Sequence, residues 1–306
     1  LMSDGNIEFQ LHDFPRAPST LRLDELKNAE PSVIITNFIN HETGHEYKAL
    51  WQPPTTQAVY SLRVFDGEGR EMNSPCLPEL PKAVLKSIPA HIDRKKMRIS
   101  WSNRSASLAR LNAGLQDGMF IRTLRPWHFS ASDEQEVVWD FWDEDHVVNY
   151  RQHPGLQIYA MCVPLPDDFV IIGHPLYEDY QRLPIFSKMG NLGQDYRFEL
   201  NPQSGAFRQS EAFPNRNIPC VVPGNALRIE LDSASRKGLS SLRYEILFFL
   251  NGQFIYEESE GSDPYTYLWP DLGLGDSLQF LTVNIASYNN GYGSRTFPIW
   301  VSKEQP

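Results

Sequence analysis

A chain of 306 residues has room for about two or three domains of roughly 100–150 residues, and its 41% hydrophobic and 22% charged content excludes an intrinsically disordered polymer. The formal net charge of −10 excludes the basic surface that phosphate neutralisation requires, so nucleic acid is not an expected partner. No apolar run reaches the roughly 18–20 residues of a membrane-spanning helix, and the start Leu1-Met2-Ser3 shows no basic-then-apolar leader.

Along the chain, apolar stretches alternate with polar residues or are β-branched, and Pro and Gly recur at strand-length intervals. That punctuation predicts an all-β architecture. The first signals are Val33-Ile34-Ile35-Thr36 and Glu46-Tyr47-Lys48-Ala49-Leu50-Trp51, read as a strand and its returning partner. His41-Glu42-Thr43-Gly44-His45 then falls in the turn between them. On a helix this spacing would put His41 and His45 on one face to hold zinc, with Glu42 polarising a water. The β-branched flank, the charge of Glu46 and the lack of an evident third ligand favour a hairpin turn, with zinc hydrolysis as an alternative. Tyr60, Leu62 and Val64 next alternate with Ser61 and Arg63, and Asp66-Gly67-Glu68-Gly69 supplies a turn into Arg70-Glu71-Met72.

A second unit carries strand patterns at Asp117–Leu124, Glu136–Asp140 and Gly155–Tyr159. The order of an Ile-Arg-Thr-Leu strand (Ile121–Leu124), a Val-Trp-Asp segment (Val138–Asp140) and a later Gly-x-Gln-x-Tyr strand resembles the immunoglobulin-like module of flagellar hook-capping proteins. Phe141 stands where that family has glycine, and His146-Val147 replaces its closing glycine turn. Asp140, Asp143, Glu144 and Asp145 offer clustered carboxylates for calcium, but not in the spacing of an EF-hand loop, so a solvated acidic turn is the favoured reading. Trp127, Trp142 and Tyr150 near this turn, and Tyr288 and Tyr292 in a later loop, are the candidate contact residues. If exposed, they would form a stacking surface for a sugar or an anchor for a protein. Trp139 and Trp269 end alternating strands and are expected in the core.

The C-terminal third has the firmest pattern. Leu227, Ile229 and Leu231 alternate with charged residues, Leu242–Leu250 follows, and Asn251-Gly252 is the dipeptide of a two-residue hairpin turn into Gln253–Glu257. Strands are expected also at Tyr265–Trp269, Ser277–Tyr288 and Thr296–Val301. This order, with Pro264-Tyr265-Thr266-Tyr267-Leu268-Trp269 and Gly275-Asp276-Ser277-Leu278, resembles bacterial immunoglobulin-like surface domains. The resemblance implies fold far better than function.

The expected architecture is a set of tandem immunoglobulin-like β-sandwiches: residues 1–90, separate from or merged with the next; 91–176; a linker or long connection over 177–222; and 223–306. Cys76, Cys162 and Cys220 lack CxxC spacing and are odd in number, which predicts buried free thiols. No phosphate loop, nucleophile elbow or Ser/His/Asp order appears, so neither catalytic residues nor a cofactor are expected. The expected role is a non-catalytic structural or docking subunit that contacts other proteins within an extracytoplasmic or membrane-associated assembly. A carbohydrate-binding accessory protein is the alternative, and the zinc hydrolase the second.

Overall fold

A computed structural model describes residues 6–12, 14, 16–27, 31–40, 46–54, 57–73, 84–87, 90–93, 96–102, 107–130, 134–189, 195–239, 243–287 and 291–303. The chain is all-β and forms tandem immunoglobulin-like sandwiches, each a pair of antiparallel-rich sheets over its own apolar cluster.

The N-terminal sandwich packs the sheet Phe169–Ile172, Ala58–Asp66, Pro18–Glu25, Pro31–Ile35 against Ile7–His12, Glu46–Trp51 and Ile39–Asn40. Period-two alternation sends Leu21 and Leu23 of one strand, and Tyr60, Leu62 and Val64 of its neighbour, into a core with Phe9, Leu11 and Trp51. The expected pairing of 33–36 with 46–51 does not occur. Pro31–Ile35 pairs with Pro18–Glu25, whereas Glu46–Trp51 pairs with Ile7–His12 in the facing sheet. The chain crosses between sheets at Phe38, which packs on the core, and so separates two stretches that looked like one hairpin. Ile39 and Asn40 instead oppose Lys48 and Tyr47. His41, Glu42 and His45 lie outside the described residues. After the turn at Asp66, Arg70–Met72 returns through a bridge from Glu71 to Phe65, a 3.0 Å bond from the Asp66 N–H to the Arg70 carbonyl and a 2.8 Å bond from the Met72 N–H to the Val64 carbonyl.

The middle sandwich packs Phe120–Ser130, Ser107–Leu115, Leu156–Pro164 and Val84–Ser87 against Glu134–Trp139, Lys96–Ser102 and Ala90–Asp93. Its core holds Ile99, Leu111, Ile121, Trp139, Phe141 and Ile158. The chain then re-enters the N-terminal sandwich: Phe169–Ile172 pairs with Ala58–Ser61, and the Leu62 N–H bonds the Asp168 carbonyl at 2.7 Å. The first two sandwiches are therefore interleaved at this strand. Val59, on the outer face of the first sheet, joins Leu108, Phe129, Met161 and Val163 of the second in one cluster. Short 3₁₀ turns at Tyr177–Asp179 and Pro184–Met189 cap that cluster with Tyr177, Tyr180 and Phe186. Burial pushes the Tyr177 hydroxyl up to about 12.

The C-terminal sandwich packs Phe198–Pro202, Ala226–Leu231 and Tyr265–Leu268 against a six-stranded sheet. That sheet runs Phe207–Ser210, Phe213–Val221, Tyr292–Val301, Ser277–Ala286, Arg243–Leu250, Gln253–Ser262. Cys220 and Val221 pair in parallel with Trp300 and Val301, so an early strand of the sandwich is joined to its last strand. Strands thus begin at Phe198, inside the stretch expected as a linker over 177–222. The signal was hidden because Phe213–Val221 carries Pro214 and Pro219 and its buried residues run together at Ile218–Val221 instead of alternating. The hairpin at Asn251-Gly252 forms as expected, with φ of 51° and 83° and Leu250 opposite Gln253. Trp269 is buried in the core beside Tyr267, and Cys162 and Cys220 are buried with no disulfide among the described residues; Cys76 lies outside the described residues.

Candidate functional site

The predicted contact residues do not form an exposed aromatic platform. Trp127 and Tyr150 are only 3% and 4% exposed, Trp142 and Tyr292 are half-buried, and Tyr288 lies outside the described residues. Trp127 belongs to the cluster between the first two sandwiches. Trp142 stacks on His146 at 6.1 Å, while its carbonyl accepts a 2.9 Å bond from Trp139 Nε1. The sequence grouped these aromatics by proximity along the chain, but Trp127 lies on the strand Phe120–Ser130 while Trp142 and Tyr150 lie in the connection after Trp139, and they pack in different places.

The acidic turn is not a cluster of free oxygen ligands either. Asp143 is buried, and its carboxylate accepts the Val147 and Val148 N–H groups at 2.7 and 3.1 Å and bonds the Thr296 hydroxyl. Burial raises its pKa above the ordinary carboxylate value, against the lowering effect of those bonds. Glu144 pairs with Arg122 at 3.0 Å, and Asp145 grips Arg295 through two 3.1 Å bonds. Asp140 Oδ1 accepts the Trp142 N–H at 3.3 Å. With these carboxylates turned to separate partners, the calcium geometry considered from sequence is not assembled at this turn.

What the turn does is dock the middle sandwich onto the C-terminal one. Asp143 and Asp145 reach Thr296 and Arg295, the Asp145 carbonyl accepts Arg216 Nη2 at 2.8 Å, and the Tyr150 hydroxyl bonds Thr282 and Thr296. Phe141 and His146 hold φ of 72° and 54°, the left-handed region that glycine favours. Phe141 is held there by its buried ring, 5.5 Å from Trp139.

Other contacts across the junction carried no sequence signal. The Asn284 amide accepts the Phe120 N–H at 2.7 Å and donates to the Phe120 carbonyl at 2.8 Å, while Ser294 Oγ donates to the same carbonyl at 2.7 Å. Asn284 sits at a polar position of an alternating strand, where the pattern alone reads as solvent-facing. Phe249 did carry a signal. It breaks the alternation of Tyr244, Ile246, Phe248 and Leu250, and its ring is buried in the core of the middle sandwich, with Leu247 packed alongside.

Beside this seam lies a cavity of about 510 Å³. Arg122, Arg197 and Arg295 line it with Glu144, Asp145 and Asp195. Arg110, 1% exposed, sits between the rings of Phe120 and Tyr292 at 5.6 and 5.4 Å. Its Nη2 bonds Asp195 at 2.7 Å and also Thr123, and its Nε bonds Asn112 and Thr123 at 3.1 Å. Burial lowers the Arg110 pKa, and Asp195 opposes that shift. Among the described residues, Arg110 Nη1 and Arg122 Nε are buried donors with no acceptor. Such a donor costs about 1–3 kcal/mol.

No family model and no curated protein matches the chain. Solved structures that it is similar to include the fibronectin(III)-like modules of Clostridium thermocellum CbhA, at 12% identity over 69% of this chain and 90% of that one, with a TM-score of 0.22. Trypsin-activated alpha-2-macroglobulin from Escherichia coli follows at 11% identity over 98% of this chain, which spans 22% of that chain, with a TM-score of 0.25. A bacterial ice-binding adhesin gives 8% identity, 98% and 92% coverage and a TM-score of 0.22. These values go no further than the class already read from the strands, an all-β protein of tandem immunoglobulin-like sandwiches.

Proposed function

We propose that this chain is a non-catalytic structural or docking subunit that presents a stiff row of sandwiches to other proteins in an extracytoplasmic or membrane-associated assembly. The observation that carries the reading is continuous burial across both joints. One apolar cluster spans the first and second sandwiches, and Phe249 with the Asp143–Thr296 and Asn284–Phe120 bonds ties the second to the third. Flexible linkers suit domains that move independently, whereas shared cores suit a spacer of fixed geometry. The glycine-like backbone at Phe141 and His146 supports the kinship of the middle sandwich with the hook-capping type. The motifs around Asn251-Gly252 and Pro264–Trp269 support the extracytoplasmic placement, by their resemblance to bacterial surface domains.

The test is a native pull-down with mass spectrometry, alongside sedimentation of the protein from its source. A stoichiometric partner that co-sediments is expected. A monomer with no co-migrating protein overturns the docking role. The carbohydrate-binding reading loses its basis in Trp127 and Tyr150, since buried rings offer no stacking face.

A further inference from the structure

Ten consecutive residues, Pro31-Ser32-Val33-Ile34-Ile35-Thr36-Asn37-Phe38-Ile39-Asn40, carry no charge in a chain where 22% of residues are charged. The fold puts this run on one lateral side of the first sandwich. Pro31–Ile35 ends its sheet, pairing on one side only with Pro18–Glu25, and Ile39–Asn40 ends the facing sheet. The three residues that join them reach little further than the roughly 10 Å between packed sheets, so the two ends lie side by side. Ile34 is 62% exposed and Ile39 57%, while Val33, Ile35 and Phe38 pack on the core yet stay half-buried. Among the described residues, no backbone hydrogen bond reaches Pro31–Ile35 from outside its sheet.

An edge strand leaves alternate N–H and C=O groups unpaired, and proteins ordinarily guard such edges with charge, proline, bulges or a covering element. Other edges of this molecule are guarded in those ways. Gln253–Ser262 carries Glu257, Glu258 and Glu260 and two register shifts, and Phe120–Ser130 carries Arg122 and Arg125. Phe169–Ile172 is uncharged but short, with Phe169 and Ile171 buried in the cluster shared with the middle sandwich, and Tyr265–Leu268 is closed by Pro264 and Pro270. Pro31–Ile35 has proline only at its first position and β-branched residues after it. We propose that Pro31–Ile35 is a dimerisation edge, which pairs antiparallel with the same strand of a second copy of this chain. Charge selects that occupant. Two molecules of net charge −10 repel, so copies meet most readily over a surface that adds no like-charge contact, and this side supplies one. A two-fold axis at Ile34 sets Ile34 against its own copy and Val33 against Ile35, which are apolar β-branched cross-strand pairs. Two four-stranded sheets then become one of eight strands. The inference goes beyond the docking role: it needs no other protein, so the purified chain tests it and the pull-down does not.

Sedimentation equilibrium of the full chain between about 1 µM and 1 mM is the test. The weight-average mass is expected to rise from 35.1 kDa towards twice that value. A Kd on the order of 100 µM is expected, because an interface built on one short strand lies at the small end of protein contacts. Raising NaCl from about 20 to about 500 mM should tighten the dimer by about 3-fold or more, through screening of the net-charge repulsion. Ile34→Lys, at an exposed position, replaces an apolar pair with two opposed cations and should weaken association about 10-fold. Leu268→Lys, on an exposed edge of the C-terminal sandwich, should leave it unchanged. Hydrogen exchange on the unmodified chain gives a reading independent of any variant: amides of residues 32–35 should gain protection with concentration while those of Gln253–Ser262 do not. A monomer at every concentration overturns the proposal and leaves the edge to a strand of a different protein. So does a dimer that weakens with salt, survives Ile34→Lys in a folded variant, or forms without protecting residues 32–35.

Discussion

Phe249→Ala offers the sharpest examination of the joint. The strand Arg243–Leu250 belongs to the C-terminal sandwich, yet its two faces serve different cores. Phe248 is 0% exposed and stacks on Tyr267 at 4.2 Å inside its own sandwich; Phe249, equally buried, enters the cluster of Met97, Ile99, Leu111 and Ile158 in the neighbouring one. Truncating a buried Phe costs about 3–5 kcal/mol, from lost transfer energy and the cavity left behind. At position 249 much of that cost falls on the coupling between sandwiches, because the cavity wall belongs to both. Native-state hydrogen exchange reads this directly. Amides of Ser107–Leu115 and Leu156–Pro164 in Phe249→Ala are expected to exchange at least about 100-fold faster under conditions where opening limits protection. Phe248→Ala should act chiefly on Ser277–Ala286 and Arg243–Leu250. If Phe249→Ala leaves protection of the middle sandwich unchanged while lowering that of its own, the shared core does not couple the two and the stiff-spacer argument fails.

Three further outcomes can be checked on the same preparation. Gly252→Val imposes a β-branched residue at φ 83° and places its Cβ 3.0 Å from His153 Nε2 and 3.2 Å from Leu115 Cδ1, so chemical denaturation should register a loss of about 2–4 kcal/mol, with faster proteolysis at the seam. His146→Gly relieves left-handed strain at an exposed residue; a gain of about 0.5–1 kcal/mol is expected, and a loss would mean that stacking on Trp142 outweighs that strain. Acidification should act in opposite directions at two places. The Asp66 carboxyl, held low first by Arg16 and also by the Arg70 and Glu68 N–H groups, gives the N-terminal sandwich stability that is complete above about pH 4 and lost as pH falls through its depressed value. Asp143, raised by burial, adds stability below its unfolded value that is lost as pH rises through its folded one. Exchange measured from neutral pH downward should therefore show the seam tightening before the first sandwich loosens, with Asp143→Asn abolishing the first change and Asp66→Asn the second.

The faces of individual strands were legible because alternation is a local property. Leu227, Ile229 and Leu231, or Tyr60, Leu62 and Val64, report one buried side whatever lies beyond the sheet. Asn251-Gly252 was legible for a different reason, since few dipeptides tolerate two successive positive φ angles. Pairing partners were less so. Val33–Thr36 and Glu46–Trp51 have the composition of a hairpin, and only the crossing at Phe38 puts them in different sheets. The return of Phe169–Ile172 to the first sandwich is a contact over more than a hundred residues, and no local pattern encodes it.

The site was the least legible part, and its residues explain why. A polar side chain that faces water and one that faces a second domain look identical in a one-dimensional pattern, so Asn284, Thr282 and Thr296 read as a solvated face although all are buried. The acidic turn was found but assigned to calcium or to solvent, because its cations, Arg122 and Arg295, come from another strand and another sandwich. Two features of the sequence point to the joint once the structure is known: Phe248-Phe249 in a strand that otherwise alternates, and Arg110 within the apolar frame Leu108-Ala109-Arg110-Leu111. Both lie on strands buried on two faces, and a strand of a sandwich buried on both faces requires a cover from outside its own pair of sheets. For Arg243–Leu250 the middle sandwich supplies that cover. For Ser107–Leu115 the 3₁₀ turns cover Leu108, while Arg110 is enclosed by Tyr292 and Asp195 of the C-terminal segment. A charge buried this way reaches solvent only when the sandwiches separate, so the pairing of Arg110 with Asp195 depends on the joint staying closed.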